Sequence, residues 1–191
     1  LLLRIDDLDF ERKRVEYVED IFQTLEWVGL DWDEGPSSVA DFEKNWSQQH
    51  RKALYEKALD TLIEQKQLFA CPCTRKEIRN RSIGLAYDGF CVERERPLNS
   101  PSCNLRLLPP FPSKISLPSI SNTKKDAAFP VIEKYAVLKK KNGWPSYHLS
   151  SVVDDTHYDI NLVVRGKDLW ESSLVQYHIA NRIETASPYL K

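Results

Sequence analysis

Hydrophobic positions divide the chain into ordered and loop-like stretches. Val15, Val18, Ile21, Phe22, Leu25 and Val28 recur at intervals of three and four, the apolar stripe of a packing helix, and Gly29 ends it. Trp46, His50, Ala53, Leu54, Ala58, Leu59, Leu62 and Ile63 predict a second amphipathic helix. Residues 1–5 are an apolar run of strand length, followed at once by Asp6, Asp7 and Asp9. A buried parallel strand ending in carboxylates predicts an active-site edge of an open α/β sheet, and Asp7 or Asp9 is also placed to cap the next helix. Further along, 135–138 predict a strand, 139–143 a tight turn, 160–164 a buried strand, and Leu174, Tyr177, His178 and Ile179 a final helix within 172–183. Between them, 94–123 are rich in Pro and Ser with little periodicity, as in a loop-rich insertion. The outline is an α/β sheet split by an insertion.

Composition narrows this picture. With 41 % hydrophobic residues in 191, the chain holds enough apolar material for a real core. It has no apolar run of membrane-spanning length and no signal-peptide pattern at its start, which predicts a cytoplasmic protein. A net charge of -1 gives no general attraction to polyanions, so a nucleic-acid partner would be held by local basic runs such as Arg75, Lys76, Arg79 and Arg81, or Lys139 to Lys141. Taken alone, such runs read as solvated faces. The chain contains no methionine and starts at Leu1, so it is expected to be incomplete.

The densest chemistry lies at Cys71-Pro72-Cys73-Thr74-Arg75-Lys76-Glu77, then Tyr87-Asp88-Gly89-Phe90-Cys91. Two thiols one residue apart, a charged helical turn and a third thiol have the spacing of a compact zinc knuckle in a reducing compartment. Gly89 allows the chain to double back. Buried thiols are also common in cores, but Pro72 and the charged 75–77 make this a poor apolar stretch. No histidine lies between His50 and His148, so the fourth ligand is Tyr87, Asp88, a water or Cys103; ligand softness favours Cys103.

Ordered motifs then carry a resemblance. Leu3-Arg4-Ile5-Asp6-Asp7-Leu8-Asp9, Pro145-Ser146-Tyr147-His148-Leu149, Val152-Val153-Asp154-Asp155 and Val164-Arg165-Gly166-Lys167-Asp168 together resemble the catalytic domain of glutamyl-tRNA synthetases. The resemblance covers nearly all of the chain outside 94–128. It implies a class I synthetase Rossmann-type catalytic domain, formed by 1–66 and 143–191, interrupted at 67–142 by a zinc-bearing connective insertion. Within the family, Cys71-x-Cys73 with Tyr87-x-x-x-Cys91 resembles the short paralogues, the glutamyl-Q tRNA(Asp) synthetases, whose zinc is held by three cysteines and a tyrosine. That favours Tyr87 over Cys103.

The resemblance implies the rest of the site. Asp6 stands where the family usually has a glutamate that meets the amino group of the substrate, and it is one methylene shorter. Tyr147 matches the tyrosine lining the glutamate pocket, and Arg165 the arginine that pairs the side-chain carboxylate, a task suited to a planar guanidinium fork. Asp168 is placed to position ATP or order its loop. Without the resemblance, Arg165 reads as an internal salt bridge, for example to Asp168, and Tyr147 as a packed aromatic. His148 reads as structural, and Asp154 and Asp155 as loop-positioning carboxylates. The implied protein is a monomer that uses glutamate and ATP, with Mg2+, and queuosine-containing tRNA(Asp). The family's His-Ile-Gly-His-type motif would precede Leu1 and its Lys-Met-Ser-Lys-Ser-type loop would follow Lys191; neither is in the 191 residues. Two rival expectations are part of an ordinary glutamyl-tRNA synthetase that charges tRNA(Glu), and an inactive zinc-bearing module that binds RNA or glutamate.

Overall fold

The computed structural model describes residues 1–81, 86–118 and 124–183. The chain forms two compact units, Leu1–Ala53 and Leu54–Lys191. Residues 82–85, the end of the Pro- and Ser-rich stretch at 119–123, and residues 184–191 lie outside the described residues. No helix among the described residues is long and apolar enough to cross a membrane.

In the first unit the expected helix forms as α1, Val15–Trp27, with Gly29 beyond it at φ 67. Val18 is its buried residue, and it joins Ile5 and Phe42 in a small core flanked by Leu3, Ile21, Phe22, Val39 and Trp46. The expected strand at 1–5 is a single parallel bridge between Leu2 and Glu34. Its backbone bonds go to one short stretch, Asp33 and Glu34, so no ladder is built. Gly35 allows this approach, because a Cβ there would stand 2.5 Å from the Leu3 carbonyl oxygen.

The second expected helix is interrupted. Ser38 caps a single turn, α2 (Val39–Asp41), which widens into a π turn at Phe42–Trp46, and a 3-10 turn follows at Gln48–Arg51. Only then does α3, Lys52–Glu64, begin. Ser47 divides the pattern: its backbone is extended and its hydroxyl accepts from the Gln49 N–H, starting a new turn. The carboxylate of Asp7 does not cap α1, whose N-cap is Arg14 with no side-chain capping bond. It caps the 3-10 turn, accepting from the Gln48 N–H at 2.8 Å and the Ser47 hydroxyl at 2.6 Å.

The second unit contains most of α3 and all five described strands. Strand β1 (Leu68–Cys71) is followed by α4 (Arg75–Arg81), β2 (Asn104–Leu107), β3 (Lys114–Pro118), β4 (Lys124–Ala128) and β5 (Val137–Lys139). Two helices complete it, α5 (Tyr147–His157) and α6 (Trp170–Ala180). The strands make an antiparallel sheet in the order β1-β2-β5 and a separate antiparallel pair, β3-β4. The stretch expected to be loop-rich contains β2 and β3. Neither described sheet is the parallel one expected of a Rossmann-type domain. Residues 160–164 form no strand; Leu162 and Val164 are 59 % and 86 % exposed, because no described strand offers them a ladder. The architecture is a mixed helix and strand domain, with α6 buried along its length from Leu174 to Ala180.

Candidate functional site

Two groups of side chains in the second unit carry chemistry. The first grows from the end of β1. Cys71 closes the strand, paired with Asn104 of β2, and Cys73 follows just before α4. That helix starts there because Thr74 and Glu77 form a capping box: the Glu77 carboxylate accepts from the Thr74 N–H and hydroxyl, and the Thr74 oxygen accepts from the Glu77 N–H. Gly89, at φ 82, returns the chain beneath Tyr135, where a Cβ would lie 2.7 Å from the tyrosine oxygen. Cys91 is thereby brought beside Cys73.

The sulfurs of Cys71, Cys73 and Cys91 lie within 4.8 Å of one another and all three residues are buried; Cys103 is not in the group. Cys73 and Cys91 Sγ are 3.5 Å apart, and the Tyr87 oxygen is 3.5 Å from Cys71 Sγ while accepting the Cys91 N–H at 2.9 Å. A tetrahedral zinc with Zn–S near 2.3 Å separates its sulfurs by about 3.8 Å, so the three thiols are grouped closely enough to share such an ion, with the Tyr87 oxygen beside them. Burial and neighbouring thiols raise the pKa of Tyr87, and burial pushes the Cys91 thiol up to about 11. Burial also acts to raise Cys71, but Tyr87, the Cys73 N–H and Arg106 outweigh it and hold this thiol below its ordinary value.

Two arginines lie against the cluster. Arg81 donates to Cys73 Sγ at 3.0 Å, and the Arg106 guanidinium covers the Tyr87 ring at 4.4 Å while donating to the Tyr135 carbonyl. Both are suited to balancing the negative charge of a thiolate set. Arg106 was not singled out in the sequence. Its signal is a lone charge between Leu105 and Leu107 in a stretch with few other apolar pairs. A cavity of about 170 Å³ opens beside the thiols, lined by Cys73, Cys91, Arg81, Phe90 and Arg94, with both guanidinium groups stacked 4.0 Å from the Phe90 ring centre. Of the other basic run, Lys141 donates to the Pro72 carbonyl.

The second group joins α5, α6 and the irregular segment between them. Tyr147, the first residue of α5, is 40 % exposed, and Arg165 places one terminal nitrogen 3.5 Å from its hydroxyl and 2.7 Å from Oε1 of Gln176 on α6. No described carboxylate pairs with Arg165. The expected partner, Asp168, instead folds back over Gly166, where a Cβ would stand 2.3 Å from its Oδ1. Gln176, like Arg106, is not singled out by the sequence pattern; its signal is an amide between Val175 and Tyr177 in a largely apolar stretch. His148 is buried against Glu133 at 3.3 Å, which holds the Glu133 carboxyl below its usual range, and Asp154 is buried on the Tyr55 hydroxyl. Asp6 belongs to the first unit, where its carboxylate accepts from Arg4 Nε at 2.9 Å and Gln48 Nε2 at 3.2 Å.

Known proteins give this arrangement its class. Residues 1–99 match the model of the tRNA synthetases class I (E and Q), catalytic domain. The chain belongs to that family. It is 35 % identical over 191 residues to a glutamyl-Q tRNA(Asp) synthetase of Prochlorococcus marinus (strain MIT 9303), covering 95 % of this chain and 54 % of that one. It is 30 % identical to the glutamate–tRNA ligase of Thermodesulfovibrio yellowstonii, covering 98 % and 39 %. The chain therefore spans about half the length, or less, of these curated relatives. The crystal structure of glutamate-tRNA synthetase from Elizabethkingia anophelis shares the fold, with a TM-score of 0.76 at 22 % identity over 98 % of this chain and 41 % of that one.

Proposed function

We propose that the protein containing this chain activates glutamate with ATP and transfers it to the queuosine base in the anticodon loop of tRNA(Asp). The observation that carries activation of glutamate is Arg165: a half-buried guanidinium, held by a phenol and an amide, with no described carboxylate to neutralise it. Such a group is a receptor for a carboxylate. Tyr147 lines the same place, Asp6 is the proposed contact of the substrate's amino group, and Asp168 is proposed to order the loop that meets ATP.

The glutamate α-carboxylate attacks the α-phosphorus of ATP, releasing pyrophosphate and leaving glutamyl-adenylate. A queuosine hydroxyl then attacks the activated carbonyl, and AMP leaves. Neither step requires a protein nucleophile, so these side chains act by positioning and by stabilising charge. The triphosphate is expected to carry Mg2+.

Transfer to queuosine is favoured over charging of tRNA(Glu) by the cluster of Cys71, Cys73, Tyr87 and Cys91, which pairs three thiols with a tyrosine as in the paralogues. The cluster is proposed to hold zinc in a closed, structural site. Held by these four residues, an ion would cross-link the end of β1 to the 87–91 turn and would serve structure rather than chemistry. The insertion is proposed to run over 67–142. The rival reading, an ordinary synthetase charging tRNA(Glu), draws support from the 30 % identity to a glutamate–tRNA ligase.

Glutamate-dependent exchange of labelled pyrophosphate into ATP tests the activation step in the product of the whole gene. The reading requires exchange, and it requires Arg165→Met to raise the KM for glutamate far more than that for ATP. Absence of exchange would favour the inactive binding module.

A further inference from the structure

We infer that Gln176 orients Arg165 for its carboxylate ligand and, being a neutral amide, leaves the guanidinium charge available to that ligand. The inference rests on the reading of Arg165 as the carboxylate-binding arginine.

Gln176 is fully buried, on a helix whose residues from Leu174 to Ala180 are all buried. Arginine offers only donors, so the atom facing it at 2.7 Å must be the amide oxygen. That fixes the amide's orientation and turns Nε2 the other way, where it is buried with no partner among the described residues. A buried donor left unpaired is destabilising, and a methionine or leucine would pack this position without it. The amide is therefore explained by what its oxygen does.

Arg165 needs such an anchor. It lies in 160–166, where no helix or strand fixes the backbone, and its other described contact, to the Tyr147 oxygen, is long at 3.5 Å. An acidic residue at 176 would hold the guanidinium more tightly, but it would also neutralise it. The ligand's carboxylate would then meet a closed ion pair, and a ligand with an uncharged amide in its place would lose less. A neutral acceptor on α6 positions the cation and preserves its demand for an anion. Gln176 is thus a positioning residue that sets the preference for glutamate over glutamine.

The test compares the whole gene product with its Gln176→Glu and Gln176→Met variants. KM and kcat are measured for glutamate, glutamine and ATP in pyrophosphate exchange, and thermal unfolding checks the fold. Gln176→Glu is expected to raise the glutamate KM by about tenfold or more, the loss of one charge-assisted interaction. The ATP KM should stay near its original value, and the preference for glutamate over glutamine should narrow. Gln176→Met should raise the glutamate KM less, since it frees the cation without neutralising it. A folded Gln176→Glu protein with unchanged glutamate KM and preference would overturn the inference. So would equal losses for both variants with a parallel change for ATP. If Gln176→Glu does not fold, Gln176→Met decides: a selective rise in glutamate KM supports the inference and an unchanged value overturns it. The underlying reading fails separately, if Arg165→Met leaves the glutamate KM unchanged or the parent protein shows no exchange, and it takes the inference with it.

Discussion

Tyr55 on α3 and Asp154 on α5 are both fully buried and are joined by a 2.8 Å hydrogen bond from the phenol to the carboxylate. The bond spans 99 positions of sequence and fixes α3 against α5, the helix whose first residue is Tyr147. Removing the hydroxyl takes one donor from a buried carboxylate. Tyr55→Phe should lower stability by about 1.5–3 kcal/mol, seen as a lower urea midpoint with an unchanged slope. A loss below about 0.5 kcal/mol, the range of surface substitutions, would show that this bond does not brace the second unit.

The thiol cluster predicts about one zinc per chain in protein purified without chelator. Cys91→Ser should release the metal and lower the melting temperature. Cys103→Ser should retain it, because Cys103 is outside the group formed by the other three thiols. Metal analysis of the two variants separates the ligand sets directly: loss of zinc from Cys103→Ser would restore the all-cysteine set that ligand softness favours.

His178 predicts an acid-sensitive step in stability. Burial first, and then the neighbouring Arg182 charge, depress its pKa from 6.5 to about 4; the ring packs edge-on against Phe129 with Nε2 unpartnered. The unfolded chain therefore takes up a proton on this residue before the folded one does. The His178 contribution to stability is constant well above pH 6.5 and is lost as pH drops from there towards 4, by about 3 kcal/mol at most. Unfolding measured at pH 7 and pH 4.5 should show a smaller difference for His178→Leu than for the parent. Equal differences would exclude His178 as the source.

What could be read from the sequence was what depends on near neighbours. The stripe from Val15 to Val28 with Gly29 after it forms α1 because helical periodicity and its stop signal are both local. The spacing of Cys71, Cys73 and Cys91 also survives folding, since Gly89 and the Thr74–Glu77 box act within a few residues. The failures need distant partners. Residues 160–164 have strand composition, but a strand exists only where another chain segment offers a ladder. Residues 46–63 look like one helix until Ser47 begins a new turn. Gln176 was passed over because its partner lies eleven positions away, across a segment with no regular structure.

Transfer of glutamate to queuosine is tested with labelled glutamate, ATP and the product of the whole gene. The acceptors are purified tRNA(Asp) with queuosine, the same tRNA without it, and tRNA(Glu). Label is expected on queuosine-containing tRNA(Asp) alone; label on tRNA(Glu) would refute that transfer and place the chain among the ordinary glutamyl-tRNA synthetases.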